Sequence, residues 1–218
     1  MKLYVEGGGD AAILKTACRE GFSKFLERAG LTGRMPRIVA CGSRQNAFDS
    51  FSTALHCGER ALLLVDSEAP VVPANQPGDA SKAAAHAQWL PWQHLRQPQG
   101  DGWLKPENAE DLQCHLMVQC MESWLLADRT TLKAFFGQGF KENPLPAATN
   151  PIERVAKAQV YASLDNATRA CKTKGQYGKG EHSFKLLALT DPVKVCEASP
   201  WAKRFVETLQ ARMEQTEH

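Results

Sequence analysis

Met1-Lys2-Leu3-Tyr4-Val5-Glu6-Gly7-Gly8-Gly9-Asp10 opens the chain and decides its fold class. Residues 3–5 are apolar and bounded by glycines, the pattern of a buried strand. The strand ends on a carboxylate, Glu6, and three glycines then let the backbone turn sharply and open to a ligand. Asp10 stands at the N-cap position of the helical run that follows. An acid at the carboxyl end of a first parallel strand is where open α/β sheets place their chemistry. Taken alone, the stretch describes equally well a tight turn whose acid is solvated.

Working outward, Leu14, Cys18, Phe22, Phe25, Leu26 and Ala29 recur at helical spacing, and Gly30 closes the run as a C-cap. Residues 37–41 read as a second strand, Gly42-Ser43-Arg44 as a turn and residues 45–55 as a helix. Ala61-Leu62-Leu63-Leu64-Val65 is a continuous apolar run, as expected of a strand covered on both faces. This β-α-β-α-β order predicts an α/β fold with a parallel sheet flanked by helices.

The third strand ends in Asp66-Ser67-Glu68. Residues two apart on an extended chain face the same way, so both acids leave the strand end on one side. In a 2-1-3 strand order Glu6 faces them across the switch point. Two carboxylates about 4 Å apart repel by roughly 4 kcal/mol at an effective dielectric near 20. Such a cluster takes up a proton or a cation, and an all-oxygen set suits Mg²⁺ or Mn²⁺ better than zinc. Arg44, at the same sheet edge, either holds a phosphate bidentately or pairs with a loop acid.

Residues 69–110 change texture. Six prolines with repeated Gly, Gln and Asp leave no long apolar periodicity, although residues 80–90 fit one helix. A segment this long, leaving directly from Glu68, reads as a lid. Its Trp89, Trp92 and Trp103 either anchor it to the body, the favoured reading, or stack bases. Residues 112–119 return as a strand, and a helix starting near Met121 puts Glu122 at the junction, level with the other acids. There it either completes a second metal position or charges the helix start.

The remainder is helical, with helices expected at 152–170, at 183–189 and after Pro200. The last carries Trp201, Phe205, Leu209 and Met213 as one stripe, with Glu207, Arg212, Glu214 and Glu217 on the wet side. Between two of these helices, Arg169, Lys172, Lys174, Lys179 and Lys185 against Glu181 give a net +4, interleaved with Gly175, Gly178, Gly180, Tyr177 and His182. Basic, glycine and aromatic residues together suit a loop that tracks phosphates, with Lys179 and His182 best placed to reach one. A solvated loop is the plain alternative.

The whole chain excludes several classes. A formal net charge of +2 over 218 residues neither demands nor forbids nucleic acid. No apolar run approaches a membrane span, and Glu6 and Asp10 interrupt any signal-peptide core. Seven scattered cysteines without Cys-x-x-Cys fit a reducing cytoplasm. There is no HExxH, no Gly-x-Ser-x-Gly and no Walker A motif.

Val5-Glu6-Gly7-Gly8-Gly9-Asp10, Cys41-Gly42-Ser43-Arg44, Val65-Asp66-Ser67-Glu68 and the stretch from Met117 to Trp124 resemble a bacterial Toprim-like family of unknown function, often encoded beside an ATPase. Toprim domains occur in topoisomerases, bacterial primases and defence nucleases. The resemblance departs at Glu68, where the acid-x-acid pair usually has a second Asp. It implies a Toprim-like sheet over residues 1–128 with a helical extension over 129–218 packing on the same domain. It also implies a Mg²⁺- or Mn²⁺-dependent nuclease acting on DNA or RNA, an effector of anti-phage defence with an ATPase partner. Glu6, Asp66 and Glu68 would hold the ion, Glu122 and Asp10 would assist, and Glu6 would move a proton. Arg44 and Lys179 would steady the phosphate, with Lys172, Lys174 and His182 contacting substrate. Other expectations are a metal- or nucleotide-binding regulatory subunit of that ATPase, or a small-molecule phosphoesterase. The amphipathic last helix leaves room for a homo-oligomer.

Overall fold

The computed structural model describes residues 1–97 and 101–214, so Glu217 lies outside the described residues. Four strands, β1 (Lys2–Gly8), β2 (Arg37–Gly42), β3 (Ala61–Asp66) and β4 (Cys114–Met117), form one sheet in the order β2-β1-β3-β4. Every pairing is parallel, with Val5 opposite Leu64 and Asp66 opposite Met117. The class and the 2-1-3 neighbourhood match the sequence pattern, and β4 extends the sheet on the β3 side.

Strand alternation sorts the core into two layers. Leu3, Val5, Leu62 and Leu64 join Phe22, Phe25 and Trp124 in one cluster, while Tyr4, Leu63 and Val65 join Phe51, Trp89 and Trp92 in the other. All six residues of β3 are buried, which explains its unbroken apolar run.

Helix α1 (Ala12–Leu26) is capped by Ala11 without a side-chain bond. Asp10 is therefore not the N-cap; it lies one residue too early and is exposed. The helix runs on through a wider turn at Glu27–Leu31, where Gly30 takes a left-handed φ of 86°. Helix α2 (Arg44–His56) is capped by Ser43, whose Oγ accepts from the Asn46 amide at 3.1 Å.

Residues 69–110 carry two short helices, α3 (Ala83–His86) and α4 (Pro91–Arg96), in place of one helix over 80–90. Leu90 precedes a proline and is pushed out of the helical region, and its amide goes to Asn75 O at 2.9 Å. Trp89, Trp92 and Trp103 are buried, so the base-stacking reading fails and the anchoring one holds. Trp103 stacks on Phe48 at 4.5 Å and donates to Gln45 Oε1 at 3.1 Å.

Helices α5 (Glu122–Leu125), α6 (Arg129–Phe136), α7 (Lys157–Thr168), α8 (Lys179–Leu189), α9 (Pro192–Ala198) and α10 (Pro200–Glu214) complete the fold. The helix expected at 152–170 is broken into a 3₁₀ turn, Ile152–Arg154, and α7. Extended backbone at Val155 and Ala156 separates the two. One core cluster contains residues from Leu3 to Leu209, so the C-terminal helices pack on the sheet domain itself. No described helix is long and apolar enough to cross a membrane.

Candidate active site

The parallel register brings the strand ends of β1 and β3 side by side, and with them Glu6, Asp66 and Glu68. One oxygen from each lies within 4.8 Å of the other two. The Asp66 amide donates to Glu6 Oε2 at 2.9 Å, and Asp66 Oδ1 accepts from the Met121 amide at 2.8 Å. Glu68 lies just beyond β3 with a φ of 62°, unusual for a side-chain-bearing residue. Gln119, beyond β4, has a φ of 68° and its carbonyl accepts from the Glu68 amide at 3.2 Å. Each such residue costs on the order of 1 kcal/mol or more, a local strain that the paired turns hold in place.

Two cations answer the acids. Lys157 Nζ lies 3.2 Å from Asp66 Oδ2 and 2.6 Å from Glu68 Oε1. Burial opposes the ammonium charge, but Asp66 and Glu68 outweigh it and raise the lysine above its ordinary range. Gln119 Oε1 accepts from the Lys157 backbone amide at 3.3 Å and ties the start of α7 to the same turn. Arg44 Nη1 donates to the Asp66 carbonyl and stands 3.8 Å from both Glu6 and Glu68. Its Nε also donates to Asp101 at 2.8 Å, and it lies 5.2 Å from the Trp103 ring centroid. The loop-acid reading of Arg44 is therefore realised, and the same guanidinium edges the acid cluster.

Three acids against two cations leave the site short of positive charge. Burial, then the charge of Asp66, raises Glu6 from 4.5 to about 8, and burial raises Asp66 from 3.8 to about 6. Without a further cation the cluster retains a proton near neutral pH. A divalent ion fits this set. The donors are hard oxygens, and all three lie within 4.8 Å of one another, a little wider than the about 3 Å between adjacent and about 4.2 Å between opposite ligands of an octahedral ion at ~2.1 Å. Among the described residues Glu6 Oε1 and Glu68 Oε2 carry no hydrogen bond, so both can turn to an ion.

The remaining candidates separate. Asp10 is exposed and outside the cluster. Glu122 is 1% exposed at the start of α5 and accepts from Tyr161 Oη at 2.9 Å and Ser183 Oγ at 3.0 Å. It thus holds α5, α7 and α8 together and stands beside the acid cluster without joining it. Lys179 opens α8, earlier than the expected start at residue 183, and lines the same cavity as Glu6, Asp66 and Glu122. His182 is buried against Phe135 and Phe136. Its Nδ1 accepts from the Gly178 amide at 2.9 Å, and burial lowers its basicity. It closes the turn into α8 and is not among the residues lining the cavity beside the acids. Lys172 and Lys174 are exposed and do not line the cavity; Lys174 lies over Phe135 at 5.0 Å.

The cavity measures about 350 Å³ and is lined by Glu6, Asp66 and Glu122, but not Glu68, together with the apolar Leu14, Met121 and Phe184. Among the described residues none of 69–110 lines this cavity, and the segment reaches the acid cluster through the pairing of Asp101 with Arg44.

A family model described as a domain of unknown function, DUF4276, matches residues 5–210. No curated protein and no solved structure matches the chain.

Proposed function

The chain belongs to the DUF4276 family, and from the acid cleft at its strand ends we propose that it is a Toprim-type nuclease dependent on Mg²⁺ or Mn²⁺. The carrying observation is the convergence of Glu6, Asp66 and Glu68 from adjacent parallel strand ends within 4.8 Å. When bound, a divalent ion supplies a Lewis acid for the phosphodiester and lowers the pKa of a water. Glu6, Asp66 and Glu68 hold it. Glu6 would keep or release a proton at its free oxygen before the ion takes that oxygen. Arg44, Lys157 and Lys179 bind the phosphate charge as it grows. By the resemblance to defence nucleases, an ATPase partner directs the activity in the cytoplasm.

The test is cleavage of plasmid, single-stranded DNA and transfer RNA with Mg²⁺ or Mn²⁺ and with chelator. Chelator-sensitive cleavage supports the reading. Hydrolysis of small phosphomonoesters with no strand cleavage replaces it by a phosphoesterase.

Lys157 is a resident competitor for the ion. Lys157→Met is expected to tighten Mn²⁺ binding about tenfold or more, a change of about 1.4 kcal/mol, read by calorimetry. Equal or weaker affinity would refute the competition.

The raised carboxylates also fix a pH dependence. A carboxyl whose folded pKa exceeds its unfolded value contributes stability below the unfolded value and loses it as pH rises through the folded one. Ion-free protein should therefore lose stability between about pH 4 and about pH 8 from Glu6 and Asp66. Saturating Mn²⁺ should raise the melting temperature more at pH 8 than at pH 5.5. Equal shifts in differential scanning fluorimetry would count against ion binding at these acids.

A further inference from the structure

The apolar wall of the cavity has no part in the chemistry above. It consists of Leu14, Met121 and Phe184, in the same lining as Glu6 and Asp66, and Lys179 is the basic residue among the described lining. The wall is fixed in place. A Cβ at Gly7 would come within 2.9 Å of the Phe184 ring, and one at Gly21 within 2.7 Å of the Phe184 carbonyl oxygen. Glycine at both positions is what lets the aromatic ring settle against the end of β1.

An ion centre that handled only a sugar-phosphate backbone would need no such surface. The five tryptophans are all buried, whereas Leu14 and Phe184 in the cavity lining are half-buried apolar side chains beside the acids. A cavity of about 350 Å³ is at the small end of the range for pockets that enclose a small molecule. A duplex is gripped instead by many lysines and arginines along an open face, and this cavity offers Lys179 alone.

We propose that the wall of Leu14, Met121 and Phe184 takes one unstacked nucleobase, so that its phosphate lies between Lys179 and the acid cluster. The substrate is then a nucleotide at a single-stranded segment or chain end, not the interior of a duplex. This rests on the nuclease reading for the ion and adds the base.

Calorimetry with Mn²⁺ present, using thymidine 5′-monophosphate and the base-free 2-deoxyribose 5-phosphate, tests it. The nucleotide is expected to bind at least about tenfold more tightly, within the range that stacking of one base contributes. Leu14→Trp, which fills the cavity from a half-buried helical position, is expected to erase that preference and leave Mn²⁺ binding intact. With Ca²⁺ replacing Mn²⁺, a single-stranded decamer is expected to bind more tightly than its blunt duplex.

Equal affinity for the two phosphates, or Mn²⁺ bound with neither phosphate bound, overturns the base site and leaves the metal reading standing. A preference that survives in folded Leu14→Trp protein overturns the location. A duplex bound as tightly as the single strand overturns the substrate class. Absence of Mn²⁺ binding overturns both readings.

Discussion

Asp66→Asn is expected to lower metal-dependent cleavage on the order of 1,000-fold or more while leaving the protein folded. Asp66 is the most enclosed of the three acids, at 3% exposure; its amide donates to the Glu6 carboxylate and its own carboxylate accepts from the Met121 amide at the turn into α5. Asparagine keeps an oxygen for the Met121 amide and loses the charge together with the Oδ2 acceptor 3.2 Å from Lys157 Nζ. Because burial already disfavours that charge, the neutral side chain should cost ion-free stability little at pH 8. Lys157 retains Glu68. The two effects separate in cleavage assays run beside urea unfolding. Wild-type turnover by the variant would remove Asp66 from the chemistry, and collapse of the fold would make its role structural.

Arg204→Met should lower stability by about 3–5 kcal/mol. The guanidinium is fully buried in α10, with Nε donating to the His86 carbonyl at 2.9 Å. Nη1 donates to the Cys114 carbonyl at 2.8 Å and Nη2 to the Asp111 carbonyl at 2.7 Å. These are carbonyl partners, so burial pulls its pKa down to about 10, and the hydrogen bonds themselves hold the ion. Methionine fills similar space but removes the guanidinium donors from three carbonyls and from His115 Nδ1, while the His86 and Asp111 carbonyls each keep a backbone amide. Arg204→Lys restores at most part of the fork and should fall between the two. At about 2–4 °C per kcal/mol for a domain of this size, the methionine variant should melt about 10 °C lower. A loss under about 1 kcal/mol in urea unfolding would mean that water replaces the guanidinium.

The legible part of this molecule was whatever depends on strand geometry. Glu6 and the pair Asp66 and Glu68 stand at strand ends, and the two-residue alternation with a parallel sheet brings them together without knowledge of any loop. Lys157 was not legible. It lies 89 residues from Glu68 at the start of a helix, and the break at Val155 and Ala156 that presents it has no local signature. The burial of His182 was not legible, because glycine and lysine around it suggest a solvated loop. The signal to the contrary was its spacing, since His182, Ser183, Leu186 and Leu187 form one buried face of α8. Arg204 carried a similar clue, three residues after Trp201 on the apolar stripe of α10. Asp10 looked like a cap because capping patterns fix a helix start only to within a residue or two.

The strand order also sets a timetable. β3 is the most apolar strand, yet its outer neighbour, β4, follows only after residues 67–113 have been made. At roughly 5–20 residues per second, synthesis leaves that backbone edge open on the ribosome for several seconds. An open hydrophobic edge invites pairing with another nascent chain. The bare carboxylates at its tip, not yet met by Lys157, oppose stacking with an identical edge. The charges read here as chemistry in the finished protein also guard the half-made sheet.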